Sequence, residues 1–112
     1  MARSTDSSEA VWTAVPKTDK LGILQARKHQ LEGVQWLSNL YNHGKSCILA
    51  DSPGMGKTVT VALFFEFLKN ARHCSLPHLM IVSSFLERHW ERTLNRWSPS
   101  LKSVRIADDS CL

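Results

Sequence analysis

No apolar stretch in this sequence approaches the ~20 residues that a membrane-spanning helix needs, and its N-terminus lacks the apolar block of a secretory signal. The expectation is a soluble intracellular chain with no membrane partner. Cysteine is scarce: Cys47, Cys74 and Cys111 are odd in number and far apart, with no C-x-x-C pair and no clustered histidine beside them. A disulfide framework and a structural zinc site therefore fall away. Charge is not one-sided either, since 14 Lys and Arg against 10 Asp and Glu leave a formal +4, which suits a polyanionic partner and plain solubility alike. With 43% hydrophobic and 21% charged residues the composition is that of a globular protein, and 112 residues make at most one small domain or a piece of a larger one.

What is present is a phosphate cradle in sequence form. The apolar run Ile48-Leu49-Ala50 feeds Asp51-Ser52-Pro53-Gly54-Met55-Gly56-Lys57-Thr58, a glycine-punctuated loop that ends in Gly-Lys-Thr and opens a helical pattern. Glycines let the backbone curl with its N–H groups inward and approach a polyphosphate closely, and the following helix adds its positive N-terminal end. In that reading Lys57 reaches the β- and γ-phosphates as a point charge and the Thr58 hydroxyl enters the Mg²⁺ shell. The general pattern G-x-x-x-x-G-K-[ST] has glycine where this sequence has Asp51. An acid there repels a polyphosphate unless its carboxylate turns away to bond loop N–H groups.

Hydrophobic periodicity sets the surroundings of the loop. Met1 to Ala10 is polar and serine-rich, so residues 1–20 read as a flexible arm whose end Trp12 and Val15 pin. Leu31, Val34, Leu37, Leu40 and Tyr41 recur at helical spacing over 30–41, and Asn42-His43-Gly44 supplies a stop. A second helix is expected over 57–70. Its Val59, Val61, Ala62, Leu63, Phe64, Phe65, Phe67 and Leu68 leave almost no polar face, so it needs cover on more than one side. A third carries Leu86, Trp90, Leu94 and Trp97 as its stripe, with Pro99 beyond its end. Between them, 46–50, 78–82 and 102–107 read as strands, rich in apolar and β-branched residues or alternating as Val104 and Ile106 do. Strands joined by helical crossovers predict an α/β fold, a parallel sheet with the phosphate loop at its carboxyl edge. Only about three strands are present, fewer than a typical sheet, and any apolar surface of the second helix left uncovered should bind a dye for exposed apolar groups.

Gln30-Leu31-Glu32-Gly33-Val34-Gln35-Trp36-Leu37, then Cys47 through Gly-Met-Gly-Lys-Thr, then the strand from Pro77 to Val82 and Trp90-Glu91-Arg92 to Trp97-Ser98-Pro99-Ser100-Leu101 together resemble the SWI/SNF-type helicase-like ATPases of superfamily 2. The resemblance runs from about Arg27 to Ile106, and the stretches from Asn39 to Gly44 and from Trp97 to Lys102 look closest to the imitation-switch chromatin remodelers. It implies that residues 21–112 are an incomplete helicase ATP-binding domain, the N-terminal part of a RecA-like, P-loop NTPase lobe. It also accounts for Asp51, because the family's phosphate loop begins with Asp. By the same resemblance Gln30 matches the glutamine that reads adenine, its amide offering a donor and an acceptor to the N6 and N7 edge; the plain alternative is a solvent glutamine at a helix start. His29 replaces a family aromatic and either stacks on the base or packs. The implied cofactors are ATP and Mg²⁺, held by Gln30, by Asp51, Ser52, Pro53, Gly54, Met55, Gly56 and Lys57, and by Thr58 at the metal.

The next family motif touches the DNA sugar-phosphate backbone, and of its hydroxyl donors Ser83 and Ser84 remain here, with Phe85 where another is usual. Arg88, Arg92 and Arg96 lie four apart, but Glu87 and Glu91 interleave with them, and a solvated helix face is the favoured reading. Hydrolysis in the family also needs an acidic pair after a later strand and arginines from a second lobe. Asp108-Asp109 falls before that acidic motif by register and reads as a polar chain end. The resemblance thus implies the ATP-binding portion of a nuclear, DNA-dependent ATPase and translocase, meeting DNA or nucleosomes through the full-length protein and the remainder of its helicase core. This chain alone is expected not to turn ATP over. Two alternatives stand beside it: a catalytically inert isoform that binds nucleotide or a partner, and an unrelated P-loop kinase.

Overall fold

Three helices carry the core. The computed structural model describes residues 15–50, 56–72 and 74–106, and within them the elements are α1 (Lys28–Asn42), α2 (Lys57–Ala71), a 3-10 turn (Ser84–Leu86) and α3 (Glu87–Trp97). Each helix encloses a stretch whose apolar residues recur at helical spacing. The N-cap of α1 is Arg27, whose backbone N–H donates to Gln30 Oε1 at 2.8 Å, so the third helical residue reaches back to close the first turn. At the other end Gly44 adopts φ +65°, Lys45 N–H donates to Leu40 O and Gly44 N–H to Tyr41 O. This is a Schellman stop, and it needs a residue that enters the left-handed region without a Cβ penalty.

The apolar circumference of α2 is explained by its place between α1 on one side and α3 on the other. Ala62, Leu63, Phe67 and Leu68 are buried, and Leu63 joins Val34 and Leu31 of α1, Trp97 of α3 and Val15 in one cluster. Phe64 and Phe65 are half-buried at its margin: Phe64 meets Tyr41 edge-on and Phe65 stacks on His78 with ring centroids 4.6 Å apart. The one acid of α2, Glu66, is also buried, and its carboxylate accepts from Asn70 Nδ2, Ser100 Oγ and Ser100 N–H. One turn earlier the Ala62 carbonyl accepts from Ser98 Oγ at 2.5 Å. The Ser-Pro-Ser turn after α3 is thereby fastened along α2. A further strap, residues 15–27, turns back on itself around Asp19 and docks on α3 through Lys20 N–H to Arg96 O. No helix among the described residues is long and apolar enough to cross a membrane.

The expected α/β architecture is not what the chain forms. Among the described residues there is no sheet, and the sole β pairing is the isolated antiparallel bridge between Thr18 and Gln25. The parallel sheet with its P-loop, and with it the partial RecA-like lobe, are therefore corrected to a three-helix arrangement. In each segment expected as a strand a large apolar side chain faces solvent: Ile48 is 85% exposed, Ile81 91% and Val104 75%. The physical reason lies in how strands differ from helices. An amphipathic or apolar helix closes its own backbone hydrogen bonds and needs only a neighbour to pack on, whereas a β run needs a partner for every ladder bond, and pairs of few strands are marginal in water. Apolar and β-branched composition marks a residue run as suited to a sheet without supplying that partner.

Candidate nucleotide and phosphate site

The geometry gathers Gln30, Gly56, Lys57 and Thr58 at one corner of the α1–α2 crossing. Gly56 is the N-cap of α2 at φ +78° and ψ +41°, a left-handed conformation that turns the incoming chain sharply into the helix. Its carbonyl accepts from Thr60 N–H at 3.1 Å, Thr60 Oγ1 at 3.2 Å and Gln30 Nε2 at 3.4 Å. A Cβ at this position would be strained by φ and would have to push aside the Gln30 amide that bonds the Gly56 carbonyl. Gln30 is buried, and both ends of its amide are engaged, the oxygen by Arg27 N–H and the nitrogen by Gly56 O. It therefore is not a solvent glutamine. It ties the start of α1 to the start of α2.

Lys57 and Thr58 follow in the first turn of α2, half-buried. Among the described residues no side chain caps this helix N-terminus and no acid lies in its first turn, where the positive end of the helix dipole favours an anion. Asp51, Ser52, Pro53, Gly54 and Met55 lie outside the described residues. The donor set that is described suits a magnesium polyphosphate: a glycine without Cβ, a lysine and a hydroxyl at a helix N-terminus. Beside it a cavity of about 420 Å³ is lined by His29, Glu32, Gly33, Trp36, Ile48, Leu49 and Ala50. His29 lines this cavity from the turn that holds Gln30.

Ser83 and Ser84 belong to another element. Both are exposed, at the entry to the 3-10 turn before α3, with Ser83 O accepting from Leu86 N–H. Asp108 and Asp109 lie outside the described residues. Three polar anchors escaped the sequence reading: Asp19, Glu66 and Ser98 are all buried. Signals existed for two of them. Asp19-Lys20-Leu21-Gly22 has the Asp and Gly spacing of a turn whose carboxylate bonds its own backbone, and Glu66 is a lone acid in an otherwise apolar helix. Asp19 Oδ1 accepts from Ile23 and Leu24 N–H, and Oδ2 from Arg96 Nε. Burial pushes its pKa up, but the two backbone donors and the Arg96 guanidinium outweigh that and hold it below the ordinary aspartate value.

Comparison with known proteins bears on the same residues. A family model described as SNF2-related domain matches residues 29–110. ATP-dependent helicase fft2 of Schizosaccharomyces pombe is 43% identical over 90 residues, which is 80% of this chain and 7% of that protein. ATP-dependent helicase FUN30 of Saccharomyces cerevisiae is 39% identical over 70% of this chain and 7% of its own length. The SWI/SNF-related matrix-associated actin-dependent regulator of chromatin subfamily A member 1 of Homo sapiens is 35% identical over 74% of this chain and 8% of its own. The likeness is thus shared by differently named relatives, and the chain spans under a tenth of the length of each. A match over most of the chain, containing Gln30, Lys57 and Thr58, leads to one conclusion: this chain belongs to the SNF2-related domain family, the SWI/SNF type of helicase-like ATPases.

Proposed function

We propose that this chain supplies the nucleotide-binding corner of an ATP-driven, DNA-dependent translocase that acts on chromatin in the nucleus. The observation that supports the reading is the junction of Gln30 with Gly56, which sets the Gln30 amide beside the helix N-terminus bearing Lys57 and Thr58. In this reading residues 51–58 wrap the phosphates of ATP, Lys57 offsets the β- and γ-phosphate charge, Thr58 holds Mg²⁺, and Gln30 faces the base edge. Family membership and relatives that include ATP-dependent helicases support it. Ser83 and Ser84 offer hydroxyls to a DNA backbone in the same reading.

Titration calorimetry with ATP and Mg²⁺ tests it. Weak binding that Lys57→Ala lowers by tenfold or more is the expected result, since a charge-assisted contact to phosphate is worth about 1.5–3 kcal/mol. Equal affinity of Lys57→Ala and the parent removes Lys57 from the site.

A further inference from the structure

The charged face of α3 resolves into two classes of arginine once its partners are traced. Arg96 is taken by buried Asp19. Arg105, arriving from beyond the helix, lies 3.0 Å from Glu87 and 3.6 Å from Glu91, so it occupies both acids that interleave with the arginine row. Arg88 and Arg92 are left exposed, with no hydrogen-bond or ion-pair partner among the described residues. Together with Glu91, Asn95 and Arg105 they line an open cavity of about 350 Å³. The sequence reading favoured a solvated face because Glu87 and Glu91 would neutralise the row. Arg105 pairs with both and tips the face to net positive, three guanidiniums against two carboxylates.

We infer that the Arg88–Arg92 face of α3 is a contact for the phosphodiester backbone of duplex DNA. This rests on the DNA-dependent reading above and gives it a surface distinct from the Ser83–Ser84 loop. Arg88 and Arg92 stand one helical turn apart on α3, a separation of about 5–6 Å between Cβ atoms that suits neighbouring phosphates on one strand. Each guanidinium offers a planar fork to phosphate oxygens, and Asn95 adds an amide on the same cavity wall. Arg105 acts by pairing with Glu87 and with Glu91 on the same cavity wall, which leaves the face with more guanidiniums than carboxylates. The contact is independent of sequence, because no base edge is reached by residues that bind only phosphate.

The test is fluorescence anisotropy of a labelled duplex with the full 112-residue chain, without nucleotide, over a range of salt concentrations. Arg88→Gln/Arg92→Gln should weaken binding by about tenfold at low salt and make the slope of log affinity against log salt shallower by about 1.8, the loss of two phosphate contacts. Glu87→Gln/Glu91→Gln releases Arg105 and should tighten binding by a few-fold, by the opposite change in slope. Adding Arg105→Gln to that pair should cancel the gain. An unchanged slope in Arg88→Gln/Arg92→Gln overturns the inference, as does binding to heparin without binding to duplex DNA. If Ser83→Ala/Ser84→Ala alone abolishes binding, this face is wrong while the translocase reading stands. Complete absence of DNA binding by the parent chain also overturns the inference, and the Lys57 titration then judges the nucleotide reading separately.

Discussion

Asp19 and Arg96 are 77 positions apart in sequence and meet in a salt bridge of 2.5 Å, with the Asp19 side chain fully shielded and Arg96 40% exposed. The pair fastens the strap of residues 15–27 to α3, and it does so with a carboxylate whose remaining oxygen is satisfied by its own turn. A buried charge of this kind costs little only while every partner is in place.

The first prediction is a pH dependence of stability. The pKa of Asp19 lies below its unfolded value, so in acid the unfolded state binds a proton more readily than the folded one. The stabilisation is therefore complete above about pH 4 and is lost as pH falls through the folded pKa. Thermal melts should show Asp19→Asn several degrees less stable than the parent at neutral pH, the two curves converging in strong acid. A gap that persists unchanged at low pH would mean that the ion pair is not its source.

A second prediction concerns the α1–α2 crossing. A Cβ on Gly33 would lie 2.8 Å from Thr60 Cγ2, closer than real contacts, so the helices approach here because Gly33 has no side chain. Gly33→Ala should cost about 1–3 kcal/mol by denaturant titration, the range for overpacking. Thr60→Ser deletes that methyl and keeps the hydroxyl bonded to Gly56 O, so Gly33→Ala/Thr60→Ser should recover most of the loss. Simple additivity of the two substitutions would show that the contact is not the cause.

Gln30 allows a third test, because its structural and its recognition roles make different demands. Gln30→Met keeps the bulk and removes both bonds, to Arg27 N–H and Gly56 O, and should cost about 1–3 kcal/mol of stability through the buried groups left unpaired. If the amide also reads adenine, the parent prefers ATP over GTP and Gln30→Met loses that preference as well as affinity. Equal binding of ATP and GTP by the parent would confine Gln30 to the helix junction.

The helices were legible in the sequence and the sheet was not, for a reason that particular residues show. Leu31 and Val34 of α1, Leu63 of α2 and Trp97 of α3 each lie in an apolar pattern of their own helix and are buried together, because a helix carries its own hydrogen bonds and its apolar stripe alone decides what it packs on. Ile48, Leu79 and Ile81 have the same apolar character and are exposed, because a strand's hydrogen bonds depend on residues elsewhere that the local pattern does not contain. At the candidate site, the glycine at the entry to α2 and the basic and hydroxyl residues after it were readable from their order. That Gln30 would be buried with both amide ends engaged was not, since the bond to Gly56 O spans 26 positions. Asp19 and Glu66 were missed for the same reason, as their long-range partners Arg96 and Ser100 are remote in sequence.

The last prediction separates the three-helix arrangement from the sheet that the pattern suggested. Leu63 is fully buried in α2, so Leu63→Ala should cost about 2–5 kcal/mol, the transfer term plus a cavity. Ile81 is 91% exposed, and an exposed apolar side chain contributes little that folding can lose. Ile81→Thr should therefore change stability by under about 0.5 kcal/mol, as surface substitutions do, while lowering the fluorescence of a dye that binds exposed apolar surface. A parallel-sheet centre makes the opposite demand, because a strand covered on both faces would bury Ile81 and give its truncation a cost of the same order as that at Leu63. Denaturant midpoints of the two variants, read beside dye binding at equal protein concentration, decide between them: a large cost at Ile81 would bury the 78–82 segment and overturn its exposure.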